Sequence, residues 1–277
     1  MFQFKKEFLK QNGACNLLEE TKYTAILNRL RAAGCVFAED ETRLLFAAAR
    51  TEDNLFAMVQ QREAGMPLEH VIGWTEFCGL KIEVDQGVFV PRVRTEFLVS
   101  QSAEIGHPGA IVVDLCCGSG AVGAAVASVL DCIELYSTDI DPLAVRCARR
   151  NVSSVSGHVY EGDLYEPLPA ELRGRVDLLV ANVPYVPTEA IELLPQEARI
   201  HEKRFALDGG EDGLDIQRRV VVAAPYWLSL GGHLLVETSE QQAAETVKIF
   251  ARNGLKTKLK SSEELDAHVV IGTRQAF

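Results

Sequence analysis

The segment LLVANVPYVPTEA, Leu178 to Ala190, ends an apolar run in Asn182, Val183, Pro184 and Tyr185. Asn182 offers a carboxamide oxygen as acceptor. A main-chain carbonyl at Val183 or Pro184 offers a second, and Pro184 restricts the residue before it to extended geometry. Tyr185 offers a face on which a flat amide or base can stack. Two acceptors aimed at one amino group suit a nitrogen whose lone pair is delocalised into a carbonyl. They hold it and favour its pyramidal form. Group transfer to such a nitrogen then needs mainly alignment, with reacting atoms ~3–3.5 Å apart. No strong general base is required, which fits the lack of His or Asp in the motif. A lone Asn-x-Pro-Tyr is more often a turn with a packed tyrosine. Its place after a strand, in a chain that also carries a cofactor loop, favours function.

That loop is DLCCGSGAVG, Asp114 to Gly123. Gly118, Gly120 and Gly123 satisfy Gly-x-Gly-x-x-Gly between a predicted strand and a predicted helix, and Asp139 follows 19 residues after Gly120. This is a dinucleotide fingerprint with an acid for a ribose hydroxyl, so a nicotinamide oxidoreductase is one reading. Two acids argue for another. Asp114, just before the loop, would repel a pyrophosphate but suits a cofactor with an ammonium group, such as S-adenosylmethionine. Asp163, in EGDLYEP, can accept from an adenine amino group. Each acid alone is more often a cap or a loop carboxylate. Three of them ending consecutive strands line the carboxyl edge, where open α/β sheets bind ligands. Cys116 and Cys117 are read as small side chains that allow close backbone approach rather than as redox groups.

The elements that must position these residues form a strand, turn and helix alternation from Ala110 onward. AIVVDLC, CIELYSTD, HVYEGD, VDLLVAN, GGHLLVETS, KTKLKSS and HVVIGTR read as strands. AVGAAVASVL, PLAVRCARRN, LDIQRRVVVAAPYWL and EQQAAETVKIFARNG read as helices. The pattern predicts an α/β, doubly wound, mainly parallel sheet. Ahead of it, three short helices predict a small bundle: one with Tyr23, Ile26, Leu27 and Leu30 on a single face and a stop at Gly34, one in EDETRLLFAAAR, and one from a Thr51 cap to Gly65. FCGLKIEVDQGVFVP predicts a hairpin, with Leu80, Ile82 and Val84 alternating on one strand and GVFV returning after a turn at Asp85–Gly87. The expected organisation is residues 1–74 as a helical recognition domain, 75–95 as a β-hairpin linker and 96–277 as the catalytic domain.

Composition narrows the partners. Net charge is −11 over 277 residues, and the first 75 carry nine Lys/Arg against ten Asp/Glu. Nearly all of the negative charge therefore lies in the catalytic part, a poor prior for wrapping nucleic acid. The chain has seven cysteines without Cys-x-x-Cys spacing. Lys5, Lys6 and Glu7 interrupt any leader-like start, and no apolar run reaches the ~18 residues of a membrane span. A cytoplasmic protein with reduced thiols is expected. The six histidines lack metal spacing, so no metal is expected.

With these motifs in order, the chain resembles the HemK-type protein-(glutamine-N5) methyltransferases, whose known members methylate a glutamine of peptide-chain release factors. The resemblance runs from about residue 50 onward. It rests on AGMPLEHVIGWTEFCGLKIEV, on FVPRVRTEFLV with Pro91, Arg92, Thr95 and Glu96, and on DLCCGSGAVG, Asp139, Asp163, NVPY and FALDGGEDGLD. It implies a class I S-adenosylmethionine-dependent methyltransferase domain, Rossmann-like, behind a helical bundle that recognises the protein substrate. By this resemblance Asp114, Cys116, Cys117, Gly118, Ser119, Gly120, Asp139, Asp163 and Leu164 hold S-adenosylmethionine, with Asn182 touching it. Asn182, Val183, Pro184 and Tyr185 hold the glutamine, and Arg92 orients the substrate or braces the linker. Glu237, in LLVETS, is read as structural. Three positions depart from the pattern: Val183 replaces a proline, Cys116 replaces a loop glycine, and Lys203 replaces a proline after Glu202. The alternatives are an amino-group methyltransferase on nucleic acid, the oxidoreductase, and a silent binding module.

Overall fold

A computed structural model of the chain describes residues 13–275. The opening residues Lys5, Lys6 and Glu7 lie outside them. The chain divides into two compact units, one ending at Ile72 and one starting at Gly73.

The first unit is helical: α1 (Gly13–Ala32), α2 (Ala38–Ala48), α3 (Glu52–Glu63) and α4 (Leu68–Ile72). The last is a fourth helix beyond the three expected from the sequence. Its five residues are too few for a periodic signal. Thr51 caps α3, its hydroxyl accepting from the Asn54 amide at 3.1 Å. Gly34 and Gly65 both take φ of +89°, which ends the helices before them. Leu30, Leu45, Leu55, Met58 and Val59 form a core of their own. Arg62 donates to Glu41 at 2.6 Å across it, both side chains being largely buried.

The second unit opens with a hairpin of β1 (Trp74–Phe77) and β2 (Leu80–Glu83), antiparallel, with Phe77 opposite Leu80. The hairpin turn is therefore at Cys78–Gly79; the chain does also turn at Asp85–Gly87, where the Val88 amide donates to the Asp85 carbonyl at 3.0 Å, but GVFV after it is not a strand. Val84, Val88 and Val90 do point inward, and all three are buried in the main core on either side of that turn. Their alternation reports packing against the domain, not pairing.

Then follow α5 (Glu96–Ile105), β3 (Ile111–Leu115), α6 (Ala121–Val129), β4 (Glu134–Asp139), α7 (Pro142–Asn151), β5 (His158–Glu161), β6 (Val176–Ala181), α8 (Gln196–His201), α9 (Arg204–Leu207), α10 (Asp215–Trp227), β7 (Leu228–Thr238), α11 (Glu240–Arg252), β8 (Leu255–Ser262) and β9 (Ala267–Arg274). The sheet has seven strands in the order β5-β4-β3-β6-β7-β9-β8. Strands β5 to β7 run parallel, and β9 and β8 join antiparallel. The order reverses between β3 and β6, so the switch point lies there. β7 starts at Leu228, ahead of the expected glycine pair, and its pairing with β6 shifts register between Val176 and Leu178.

Alternation decides which side each strand residue faces. Val112, Leu178, Val180 and Leu235 pack into one core with α5, α6 and α7. Val113, Leu115, Leu179, Ala181, Leu234 and Val236 pack into the other with α10 and α11. All five residues of β3 are buried, as expected for a central parallel strand covered on both faces.

Candidate functional site

The register places the candidate residues on one line. Leu115 pairs with Thr138 on one side and Ala181 on the other, and Ala181 pairs with Val236. One residue further along each strand stand Cys116, Asp139, Asn182 and Glu237. All four sit at the carboxyl edge, across the switch point.

The glycine loop is held from within. Asp114 is buried, and its Oδ2 accepts from the Gly123 amide at 2.9 Å. Asp139 Oδ2 accepts from the Gly118 amide at 2.8 Å, and its Oδ1 from the Asp141 amide at 2.9 Å. The turn closes through the Gly120 amide and the Cys117 carbonyl at 2.7 Å. Gly120 has φ of +78°, and a Cβ there would lie 3.0 Å from the Ala148 Cβ. Gly118 also takes a positive φ, +56°, but a Cβ there would meet nothing within 4 Å, so that side of the loop is open. Cys116 has φ of +56°, a conformation in which a glycine would be unstrained. Ser119 is buried, and its carbonyl accepts from Asn151 Nδ2 at 2.8 Å. The same amide group donates to the Glu83 carbonyl at 2.8 Å, while Asn151 Oδ1 accepts from the Glu83 amide at 2.9 Å. One side chain at the end of α7 thus joins the hairpin to the loop.

Three carboxylates converge on this loop. The charges of Asp139, Asp114 and Asp163 all act on the Cys116 thiol, which burial already pushes up. Cys117 is pushed up in the same way, first by burial and then by Asp114 and Asp139. A reactive thiolate needs the opposite surroundings, so neither cysteine is built for redox work. Burial, aided by the Asp139 charge, pushes the Asp114 carboxyl up to about 7. Asp139 is raised too, chiefly by burial. A cation relieves this crowding, and a pyrophosphate would worsen it. Asp163 is paired with Arg219 at 2.6 Å. Leu164, next to it, is buried in the second core with φ of +49°.

On the acceptor side, Asn182 Nδ2 donates to the Thr95 hydroxyl at 3.2 Å. Val183 is buried in the second core, so the residue standing in place of proline gains apolar contact. Among the described residues, the carbonyls of Val183 and Pro184 accept no hydrogen bond. The Tyr185 carbonyl accepts from Gln242 Nε2 at 2.9 Å. Burial, reinforced by the Glu237 charge, pushes the Tyr185 phenol up, which keeps it neutral. Arg92 donates to the buried carboxylate of Glu202, and its guanidinium lies 4.9 Å from the Phe89 ring centre. Its side chain is still 36% exposed. Lys203, following Glu202, reaches Asp141 Oδ2 at 2.6 Å.

Two supports escaped the sequence reading. A Cβ on Gly213 would lie 2.2 Å from the Tyr185 carbonyl oxygen, so the last glycine of GGEDGLD is set by its packing on the Asn-Val-Pro-Tyr loop. Thr95 was marked only by its place in FVPRVRTEFLV, yet it is the partner of Asn182. No local signal links residues 87 apart in sequence.

A doubly wound sheet with an open glycine loop, ringed by carboxylates suited to a cation, defines a class I S-adenosylmethionine-dependent methyltransferase. The open side of Gly118 and the three acids fit that cofactor, which the chain uses. Comparisons with known proteins agree. The family model of the methyltransferase small domain matches residues 80–211. A methyltransferase structure from Pyrococcus furiosus superposes with a TM-score of 0.54 at 16% identity, covering 72% of this chain and 90% of that one. A 16S rRNA N2 G1207 methyltransferase from T. thermophilus, in complex with AdoMet and guanosine, gives 0.51 at 17% identity over 73% of this chain and 50% of that one. These two show the fold. The sequence relatives are more specific. A release factor glutamine methyltransferase of Geobacter sulfurreducens is 39% identical over 199 residues, 71% of this chain and 69% of the relative. One of Mycolicibacterium smegmatis is 36% identical over 231 residues, 82% of each. The chain belongs to the release factor glutamine methyltransferase family.

Proposed function

We propose that the chain methylates the side-chain amide nitrogen (N5) of a glutamine in a protein, and that this protein is a peptide-chain release factor. The supporting observation is the shared rung of Asn182 with Cys116 and Asp139: the amide of the acceptor motif stands one strand away from the cation-suited loop. Membership of the family supports the choice of acceptor.

When bound, S-adenosylmethionine supplies an electrophilic methyl carbon on a sulfonium sulfur. The chain's residues hold and align. Asp114 would hold the ammonium end, Asp139 the ribose hydroxyls, and Asp163 the adenine amino group, beside Leu164. Cys116, Cys117, Gly118, Ser119 and Gly120 form the floor. Asn182 Oδ1 and the free carbonyl of Val183 or Pro184 accept from the two N–H bonds of the glutamine amide, whose face lies on Tyr185. The exposed part of Arg92 meets the acceptor backbone while Glu202 holds the rest. The donor would supply its methyl group to the amide nitrogen and leave as a neutral thioether that keeps the sulfur–methyl electron pair, while the nitrogen's proton would pass to solvent. The helical unit recognises the body of the protein acceptor.

We place the enzyme in the cytoplasm. Cys78, Cys116, Cys117, Cys132 and Cys147 are free thiols, which supports that placement. No described helix is long and apolar enough to cross a membrane.

The test is incubation of the enzyme and methyl-labelled cofactor with a release factor, with the same factor carrying Gln→Ala at its acceptor glutamine, and with nucleic acid. Label is expected in the unaltered factor only. Label in nucleic acid alone would overturn the proposal.

A further inference from the structure

The polarity of a carboxamide is a problem for this site. An acceptor motif works only if Asn182 turns its oxygen, not its amino group, toward the incoming amide. The two ends are nearly the same size, so shape alone does not choose between them. Something must tell the side chain which way to face.

Strand alternation puts Asn182 and Glu237 on the same face of the sheet, in step with Val180 and Leu235, both of which pack under α5. Thr95 ends the turn Val93–Thr95 that leads into α5. It is 2% exposed, as is Glu237. Its hydroxyl accepts from Asn182 Nδ2 at 3.2 Å. Burial pushes the Glu237 carboxyl up, while the Thr95 hydroxyl beside it and the Arg94 charge pull the other way, toward the charged form. Glu237 Oε2 has no hydrogen-bond partner among the described residues. A buried carboxylate with an unpartnered oxygen is costly to keep, and packing alone gives no reason for a Glu there.

We infer that Glu237 and Thr95 are positioning residues that fix the orientation of the Asn182 amide. A carboxylate only accepts hydrogen bonds. It draws the Thr95 proton to itself and leaves the hydroxyl lone pair facing Asn182. That lone pair can receive Nδ2–H but would repel Oδ1. The amino group is thereby committed inward, and Oδ1 is left for the acceptor. The polarity runs one way, from Asn182 through Thr95 to Glu237. A neutral amide in place of Glu237 could donate to Thr95 and reverse it. This inference rests on the proposed glutamine chemistry, since only an N–H-bearing acceptor needs the oxygen outward.

The test compares the wild type with Thr95→Ser, Thr95→Val and Glu237→Gln in the full chain. Three quantities are measured: kcat and KM for a release-factor acceptor, the Kd of S-adenosylmethionine by calorimetry, and solvent exchange of the Asn182 side-chain amide protons by NMR. Thr95→Val and Glu237→Gln are expected to lower kcat by about 10- to 100-fold, the scale of a misplaced contact. Cofactor Kd and acceptor KM should stay within about threefold, and amide exchange should speed up. Thr95→Ser keeps the hydroxyl and should retain kcat within about threefold. Wild-type kcat in either Thr95→Val or Glu237→Gln overturns the inference. So does a Thr95→Ser enzyme as slow as Thr95→Val, or a parallel loss of cofactor binding, which would mark the two residues as braces. If the wild type methylates no glutamine, the proposed function fails by itself. Amide exchange then still decides the orientation: protection in the wild type and Thr95→Ser, with loss in the other two, supports it, and equal exchange in all four overturns it.

Discussion

The two halves of the carboxyl edge are built in different ways. On the β3 and β4 side, carboxylates are satisfied by backbone amides: Asp114 by Gly123, Asp139 by Gly118 and Asp141. These contacts span at most 21 residues and are set by the path of the main chain. On the β6 and β7 side, neutral side chains make the contacts, over long separations. Asn182 reaches Thr95 87 residues away, and Tyr185 is held by Gln242 57 residues away. On the proposed function, the first half is a backbone mould for a cofactor of fixed shape. The second is an assembly of polar groups whose directions must agree, which is what aiming at one acceptor atom demands.

The difference can be broken most sharply at Asn182. Asn182→Ala removes the acceptor and leaves the mould intact. Methyl transfer should fall by about 100- to 1,000-fold, the scale of losing one preorganised hydrogen-bonding group. Calorimetric affinity for S-adenosylmethionine should stay within about tenfold, a loss of ~1.4 kcal/mol at most. Equal losses in turnover and cofactor affinity would mean the two halves are not separable.

Asp114→Asn probes the mould through pH. In the fold its carboxyl is raised from 3.8 to about 7, so the folded state holds the proton more tightly than the unfolded one. The cost of ionising it is absent below the unfolded value and grows as pH rises through the folded value. The wild type without cofactor should therefore lose stability relative to Asp114→Asn between about pH 4 and pH 7, by a few kcal/mol. Denaturant unfolding of both at pH 5 and pH 8 reads this directly. A difference that does not change with pH would show that Asp114 titrates normally.

Gly120→Ala tests the path of the chain itself. A positive φ and a 3.0 Å approach to Ala148 predict a loss of about 1–3 kcal/mol in unfolding free energy. The Asn182 half shares no contact with that position, so turnover at saturating cofactor should change least of the three.

This contrast also explains what could be read in advance. The mould was legible because its parts are close in sequence: strand, Gly-x-Gly-x-x-Gly, helix and a following Asp. The sheet was legible for the same reason, with each strand a short apolar run. The acceptor motif was visible as Asn-Val-Pro-Tyr, but its supports were not, because Thr95, Glu237 and Gln242 come together only after the sheet is built. Glu237 in particular reads as an ordinary strand-end acid until its neighbours are known. The hairpin was misplaced by one arm because Val84, Val88 and Val90 alternate like a strand, while their burial comes from the domain beneath them.

Asn151 carries one more implication. Its amide grips both main-chain polar groups of Glu83 and the carbonyl of Ser119 at once. The hairpin and the floor under the methyl donor therefore share a rivet. Strain applied to β2 by a docking protein has no slack to absorb it before it reaches the loop, so the arm cannot swing freely while the floor stays still. Stiffness of this kind spares the enzyme from rebuilding its donor cradle each time a bulky partner arrives and leaves.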